Sequence, residues 1–283
     1  MRPDRAPYLG LVPEPQPGEV KLSMREVSKT FVSARGDTVH ALEDVTFDVA
    51  PGEFVCLLGP TGSGKSTILN ILAGLERADR GVTLMDGRPV TGPGPDRAVL
   101  FQDPALFPAM SVLGNVEFAL RMVGVPETER RETAMQWLSR VRLTTFARAQ
   151  PHELSAGMRQ RAALARALAC RPDVLLADEP FGSLDAQARE LLQEQVQELW
   201  ADTGATLVFV THNVREAALL ADRVLLMSAS PGTLLEEYRI RSPRPRHLED
   251  PLLARVVVDI HDRLQEEVSK VVARETDAQE GLG

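Results

Sequence analysis

Residues 59–67 read Gly59-Pro60-Thr61-Gly62-Ser63-Gly64-Lys65-Ser66-Thr67. This stretch fits the pattern G-x-x-x-x-G-K-[ST], in which glycines let main-chain N–H groups converge on an oligophosphate. The apolar run 54–58 before it predicts a strand, and residues 66–73 predict a helix that ends at Gly74. A strand, a glycine-rich loop and a helix in this order predict a phosphate-binding site at the helix N-terminus.

Two side chains of this phosphate loop (residues 59–67) have roles that follow from their chemistry. Lys65 is placed to neutralise the β- and γ-phosphates of a nucleotide, and Ser66 is placed to hold Mg²⁺. The alternative is a purely structural glycine-rich turn. That alternative does not account for the strand and the helix on either side of the motif.

The composition is that of a globular protein, with 283 residues, of which 43% are hydrophobic and 25% charged. The net charge of −8 argues against indiscriminate binding to nucleic acid or to anionic lipid. No apolar run reaches the length of a membrane span, so work at a membrane would require another chain that crosses it. Cys56 and Cys170 lie in apolar stretches, which predicts small core residues in a reducing compartment.

The chain divides into three predicted parts. Residues 1–18 contain five prolines and predict an unstructured arm. Residues 19–231 predict the nucleotide-binding domain, with β-rich runs at 20–27, 38–42 and 45–49 as an N-terminal antiparallel region and a helical subdomain inserted at about 103–170. After Met227 the pattern becomes irregular, and residues 232–283 predict an extension with a basic stretch, 239–246, and an amphipathic helix from about Pro251 to Val272.

Two further apolar runs, 174–177 and 206–210, predict buried parallel strands beside the strand 54–58. Each is followed at once by polar residues, Asp178-Glu179 after the first and Thr211-His212 after the second. Open α/β sheets bind ligands at the carboxyl ends of their strands. The sequence therefore predicts an α/β fold with a RecA-like, mainly parallel sheet of the phosphate-loop NTPase type, and a single site at one edge.

The residues at these strand ends suit phosphate chemistry. Asp178 is placed for a second Mg²⁺ contact, and Glu179 to polarise an attacking water. A lone Asp-Glu after a strand is more often a helix N-cap, but the phosphate loop upstream favours the functional role. Ser155, which opens the predicted helix 155–170, is either an N-cap or part of an anion-binding helix N-terminus, and the residues alone do not decide.

At this point the chain resembles the ATP-binding cassette (ABC) ATPases over residues 20–231, with several motifs in the expected order. The resemblance implies ATP and Mg²⁺ as cofactors and assigns roles to single residues. Phe31 would stack on adenine, Gln102 would sense Mg²⁺ and the γ-phosphate, and His212 would contact the γ-phosphate. Taken alone, Phe31 would more often be a core residue, Gln102 a solvated loop residue and His212 a structural histidine.

The resemblance also implies assembly. Leu154 to Gln160, which include Ser155, Ala156 and Gly157, match the family signature that caps a nucleotide on a partner cassette. Residues 183–185, which end in Asp185, match the loop that crosses the dimer. A head-to-tail dimer with a second copy or a homologous cassette is implied. The first glycine usual after the signature serine is Ala156 here, and Asn213 stands where an Asp is common.

Residues 99–108, 151–154 and 229–232 look like the ATPases of nitrate, sulfonate, taurine or bicarbonate importers, although Ala109 stands where that branch often has Trp. The resemblance implies membrane-spanning permease subunits as partners, a solute-binding protein indirectly, no nucleic acid, and a place at the cytoplasmic face of the cell membrane. Two alternatives stay open from the sequence. One is an ABC ATPase that acts on a non-membrane partner, and the other is a kinase with a phosphate loop, which would not need 154–160 or 183–185.

Overall fold

Strands and helices alternate through most of residues 19–33, 36–244 and 246–280, which are the residues that the computed structural model describes. The strands are β1 (Leu22–Val32), β2 (Thr38–Val49), β3 (Phe54–Leu58), β4 (Arg80–Met85), β5 (Arg88–Pro89), β6 (Arg97–Leu100), β7 (Val174–Asp178), β8 (Thr206–Thr211), β9 (Arg223–Met227) and β10 (Leu234–Arg239). The helices are α1 (Lys65–Ala73), α2 (Val112–Met122), α3 (Glu127–Arg140), α4 (Ala156–Ala169), α5 (Ala186–Thr203), α6 (Val214–Leu220) and α7 (Pro251–Glu280). The predicted unstructured arm, residues 1–18, lies outside the described residues.

The larger sheet has the strand order β10-β9-β3-β8-β7-β6. Its neighbours run parallel except for β9 and β10, which pair antiparallel. The three parallel strands predicted from the sequence are adjacent, as β3-β8-β7, which places their carboxyl ends at one edge. The pattern does not predict β6 or β9, because β6 has only four residues and each of the two begins with an arginine.

Burial on both faces of this sheet explains why its central strands are continuous apolar runs. Phe54, Cys56 and Leu58 of β3 face one apolar cluster, and Val55 and Leu57 face the other. This alternation follows from the two-residue period of a strand, which sends successive side chains to opposite faces. The first cluster extends into the helices α2, α3 and α4, which lie in the chain between β6 and β7 as the predicted helical insertion.

The smaller sheet is antiparallel, with the order β2-β1-β4-β5. The prediction of two separate strands at 38–42 and 45–49 is wrong, because β2 is continuous across Glu43 and Asp44. Asp44 adopts φ +49°, and its N–H donates to the Ser28 Oγ at 3.1 Å while its carboxylate accepts from the same hydroxyl at 3.1 Å. In the sequence, Glu43 and Asp44 suggest a break between two strands. In the structure they lie at an irregularity in the pairing of β1 with β2.

The prediction that the chain becomes irregular after Met227 is also wrong. Residues 234–239 form β10, the edge strand of the large sheet, which is only half-buried. Its sequence, Leu-Leu-Glu-Glu-Tyr-Arg, lacks both a clean alternation and an apolar run, so neither strand signal is present. Helix α7 then runs to Glu280, beyond the predicted end at Val272.

The basic stretch 239–246 is most simply a solvated surface from its sequence, and this interpretation is wrong for Arg244 and Arg246. Arg244 donates to the Leu220 carbonyl and to Asp222, and its guanidinium lies 4.4 Å from the centroid of the Trp200 ring. Asp222 in turn accepts from the Phe54 N–H at 3.0 Å. The extension is therefore attached by charged groups to the amino end of the central strand β3.

Arg246 is buried, with 5% of its surface exposed. It donates to the main-chain carbonyls of Ala218, Ala221, Ile240 and Ser242. Burial lowers the pKa of the Arg246 guanidinium to about 10. A guanidinium supplies five donors in a fixed planar arrangement, so one side chain satisfies several carbonyls that would otherwise be buried without partners.

Replacement of Arg246 should destabilise the protein. We expect Arg246→Ala to lower the free energy of unfolding by about 2–4 kcal/mol, because several carbonyls lose a charged donor. The exposed Arg241 of the same stretch is the control, and Arg241→Ala should change it by at most about 0.5 kcal/mol. Urea unfolding followed by circular dichroism measures both. Equal effects of the two substitutions would contradict the structural role of Arg246.

Candidate functional site

The phosphate loop joins the end of β3 to the start of α1, and its glycine at position 64 is required by close packing. Gly64 has φ +80°, and a Cβ there would lie 2.4 Å from the Leu42 side chain and 2.7 Å from the Ala41 carbonyl oxygen. No side chain caps the N-terminus of α1. The first N–H groups of this helix are therefore available to a phosphate, which is the property that the sequence pattern predicts.

Lys65 lies inside the loop, almost completely buried. Its ammonium donates to the carbonyl oxygens of Gly59 at 2.9 Å and Pro60 at 2.7 Å, and to the Ser63 hydroxyl at 3.1 Å. Burial lowers the pKa of Lys65, and the nearby charges of Glu179 and Asp178 partly offset this. A cation held here by neutral oxygens is suited to attract phosphate oxygens. Of the other loop residues, Thr61, Gly62 and Ser66 are exposed, and Thr67 is half-buried.

The Ser66 hydroxyl and the Asp178 carboxylate meet across the sheet edge, with the Ser66 Oγ donating to Asp178 Oδ1 at 3.0 Å. Burial raises the pKa of Asp178, as does the charge of Glu179, while Ser66 and Lys65 act in the opposite direction. Mg²⁺ takes oxygen ligands and is usually held by one or two protein groups together with phosphate oxygens. A hydroxyl and a half-buried carboxylate in contact fit that donor set, and a bound cation would favour the charged form of Asp178.

Glu179 and His212 lie at the ends of the neighbouring strands β7 and β8. The Nδ1 of His212 is 3.0 Å from the Oε2 of Glu179, and the Glu179 N–H donates to the Val210 carbonyl at 3.0 Å. Glu179 adopts φ +42°, which is a strained conformation for a residue with a side chain. Strain of this kind is concentrated at functional sites, and here it is combined with a carboxylate–imidazole contact beside the phosphate loop.

Gln102 reaches the same edge from β6. Its Nε2 lies 3.3 Å from the position that a Cβ on Gly182 would occupy, and that position is 3.7 Å from the Glu179 carboxylate. Gln102 is exposed. The structure therefore brings Gln102, Asp178, Glu179 and His212 together with Lys65 and Ser66, as the sequence predicts.

The signature residues lie elsewhere. The Ser155 side chain caps α4, accepting from the Met158 N–H at 3.3 Å. A Cβ on Gly157 would lie 3.0 Å from the Ala188 Cβ, so the start of α4 packs on α5. Asp185 caps α5 through the Ala188 N–H at 2.9 Å and is exposed. Across the described ranges, no hydrogen bond or ion pair joins Ser155, Ala156 or Asp185 to the phosphate loop.

Phe31, the predicted adenine-stacking residue, belongs to the smaller sheet, whereas the strand ends of the site belong to the larger one. It lies on β1, and 39% of its surface is exposed, so it is not a core residue. The Lys29 ammonium lies 5.1 Å from the centre of its ring. An exposed aromatic ring on a rigid strand offers a flat surface for stacking, and its role toward a base stays a prediction.

Two charged groups near the edge, the buried Glu216 and the half-buried Arg189, were not identified from the sequence. Glu216 in the first turn of α6 accepts from the Thr211 hydroxyl at 2.8 Å, and Arg189 of α5 lies 3.5 Å from Glu216. The spacing Asn213-x-x-Glu216 is a helix-start signal that points to Glu216. No sequence signal connects it with Arg189.

The chain is similar to known proteins in sequence and in fold. The family model for the ABC transporter matches residues 42–182. The nitrate import ATP-binding protein NrtD of Synechocystis sp. is 46% identical over 222 residues, 78% of this chain and 83% of that protein. The taurine import ATP-binding protein TauB of Roseobacter denitrificans is 45% identical over 219 residues, 77% and 82% of the two chains. The dimeric post-hydrolysis structure of the ATP-binding cassette MJ0796, bound to ADP and Pi, is 31% identical, with a TM-score of 0.69 over 78% of this chain and 100% of that one.

The chain belongs to the ABC transporter ATP-binding family. It is an ATPase that uses ATP with Mg²⁺, and the predicted fold class is confirmed. None of the helices in the described part of the chain has the length and apolar character needed to cross a membrane.

The first test of the site is the loop lysine. We expect Lys65→Ala to lower kcat/KM for ATP about 100-fold or more, because the phosphates lose their buried counter-charge. ATP binding, followed with a fluorescent ATP analogue, should weaken as well. Lys21→Ala is the control, since Lys21 pairs with Asp86 and Asp173 and has no contact with the loop among the described residues. Turnover of Lys65→Ala equal to that of Lys21→Ala would contradict the assignment.

Proposed function

We propose that this chain is the ATP-hydrolysing subunit of an importer, acting as a head-to-tail dimer on separate membrane-spanning permease subunits. The solute is a small anion or zwitterion such as nitrate, a sulfonate, taurine or bicarbonate, delivered by a solute-binding protein. The names of the relatives, which are nitrate and taurine import proteins, support this choice. The chain would then be attached, through the permease, to the cytoplasmic face of the cell membrane.

The observation that supports hydrolysis most directly is the contact between Glu179 and His212 beside the loop. Glu179 is the base that accepts a proton from the attacking water, and His212 orients that carboxylate and contacts the γ-phosphate. Ser66, Asp178 and Gln102 would hold Mg²⁺, which would supply positive charge beside the transferring phosphoryl group. Lys65 adds a fixed positive charge that neutralises the β- and γ-phosphates. The work of the protein is mostly positioning and electrostatic stabilisation.

Dimerisation is supported by what the single chain leaves exposed. Ser155 is exposed, Ala156 is half-buried, and both lie at the N-terminus of α4, whose first N–H groups favour an anion. Asp185 is exposed at the start of α5. In the proposed dimer the start of α4 caps the nucleotide that is bound to the partner's phosphate loop. The dimeric cassette structures of known relatives support this arrangement.

A carboxylate variant tests both hydrolysis and the dimer. Glu179→Gln keeps the size and hydrogen-bonding capacity of the side chain but cannot accept the proton from water. We expect it to bind ATP, to lose ATPase activity by about 100-fold or more, and to accumulate as an ATP-bound dimer. Size-exclusion chromatography with Mg-ATP measures the dimer.

Glu190→Gln, an exposed residue of α5, is the matched control and should remain active and mainly monomeric. If Glu179→Gln binds ATP and stays monomeric at every protein concentration, the proposed dimer is wrong. If Glu179→Gln hydrolyses ATP like Glu190→Gln, Glu179 is not the base.

A surface for the permease lies after Gln102. Phe107 is 40% exposed although its ring packs on Phe118, with the ring centres 4.8 Å apart. Its main chain is held by the buried Asn115, whose amide accepts from the Phe107 N–H at 2.7 Å and donates to its carbonyl at 3.2 Å. A rigidly held, exposed aromatic ring is suited to contact an amphipathic helix of the permease. Because this segment directly follows Gln102, movement of Gln102 would shift the surface.

Replacement of Phe107 tests this surface. Phe107→Asp should prevent co-purification with the permease subunits, while the ATPase activity of the free chain stays within about twofold, because the catalytic groups are untouched. Leu75→Asp, at an exposed apolar residue after α1, should keep both properties. Unfolding of Phe107→Asp would favour a packing role within the helical subdomain. Normal co-purification would exclude this contact.

A further inference from the structure

A pair of opposite charges, the buried Glu216 and the half-buried Arg189, lies beneath the catalytic edge and has no role in the chemistry described so far. The Nε of Arg189 on α5 is 3.5 Å from Glu216 Oε1 on α6. The Glu216 side chain is 8% exposed. Burial raises the pKa of Glu216, and the charge of Arg189 opposes this. A buried carboxylate carries a desolvation cost, so its presence here calls for a specific role.

One end of the pair reaches the loop at residues 183–185. Arg189 Nη2 donates to the Leu184 carbonyl at 3.1 Å, so the same guanidinium contacts that loop and Glu216. Leu184 is buried, while its neighbours Ser183 and Asp185 are exposed. A movement of the exposed loop would therefore displace the Leu184 carbonyl and, through the hydrogen bond to it, Arg189.

The other end reaches His212. The Thr211 hydroxyl donates to Glu216 Oε2 at 2.8 Å and accepts from the Asn213 N–H at 3.0 Å. These two bonds close a tight turn around His212. The His212 side chain is 59% exposed and contacts Glu179 through Nδ1, so packing contributes little to its orientation. The backbone turn that Glu216 stabilises must therefore provide most of the constraint on the orientation of His212.

We propose that Arg189 and Glu216 are positioning residues, which hold His212 against Glu179 and make that contact depend on the position of loop 183–185. In the proposed dimer this loop crosses to the partner, so dimer formation would change the contact between Glu179 and His212, which activate the water. This inference rests on the roles proposed above for Glu179 and His212. A purely helix-stabilising role is the alternative, and it predicts loss of stability without loss of turnover.

The experiment compares steady-state ATPase of the full chain with Arg189→Ala, Glu216→Ala and the double variant. We expect each single variant to lower kcat about tenfold while the Kd for ATP stays within about twofold, since only the reacting geometry is disturbed. Because both residues act through one path, the kcat of the double variant should be no lower than that of the more impaired single variant. Arg189→Lys, which keeps the charge, should recover part of kcat.

The buried pair Arg223–Glu53, with 2.6 Å between Arg223 Nη1 and Glu53 Oε1, is the matched control. It lies at the amino ends of β9 and β3, away from the catalytic edge. Arg223→Ala should lower Tm and leave kcat per folded molecule unchanged. The proposal is overturned if kcat of the Arg189 and Glu216 variants stays within about twofold of the unmodified chain, or if it falls only with the folded fraction, as in Arg223→Ala.

Two further variants separate this inference from the proposed function. Glu179→Gln and His212→Ala are measured in the same assay. If both lose turnover while the Arg189 and Glu216 variants keep it, the positioning role alone is wrong. If both keep normal turnover, the roles of Glu179 and His212 are wrong, and the positioning role is wrong with them.

Discussion

The whole site depends on one hydrogen-bonded ladder, the parallel pairing of β3, β8 and β7. In this ladder Leu58 is opposite Thr211, and Asp178 is opposite Val210. The register brings the last residues of three strands, distant in sequence, to the same end of the sheet. A shift of one residue would turn Asp178 to the other face of the sheet and separate it from Ser66. Apolar burial on both faces makes such a shift costly, so the packing that stabilises the sheet also determines the catalytic geometry.

Holding the charged groups at this edge costs free energy in the chain without nucleotide. Burial disfavours the ammonium of Lys65 and the carboxylate of Asp178, so their pKa values move toward each other, downward for Lys65 and upward for Asp178. Each group partly compensates the other. A nucleotide with Mg²⁺ brings negative charge to Lys65 and positive charge to Asp178, which would reverse both shifts.

The strained backbone of Glu179 is a second cost at the same edge. Binding energy from the nucleotide can offset both, and this makes the edge selective for a charged phosphate with its cation.

The sequence predicts those parts of the molecule that have a local signal. The phosphate loop, the strands predicted at 54–58, 174–177 and 206–210, and the capped helices α4 and α5 follow from motifs, apolar runs and N-cap residues. Long-range polar contacts have no such signal, which is why the burial of Arg246 and the Arg189–Glu216 pair could not be predicted. Glu43-Asp44 shows the reverse case, in which a clear local break signal is overridden by a contact with Ser28 on the neighbouring strand.

The distribution of the motifs between two surfaces bears on how hydrolysis is controlled. The groups proposed to contact phosphate, Mg²⁺ and water gather at one edge of one chain, whereas Ser155 and Asp185 lie on exposed helix starts with no bond to the phosphate loop among the described residues. In the proposed dimer, the positive helix end that would close over the γ-phosphate comes from the partner. Turnover in that dimer would depend on assembly. Loop 183–185 lies between the strained Glu179 and the capped helix α5, and the Leu184 carbonyl is bonded to Arg189. In the proposed dimer the exposed side of this loop would face the partner, and its buried side is linked to the turn around His212 through Arg189 and Glu216. This is the geometry required for coupling two otherwise separate surfaces.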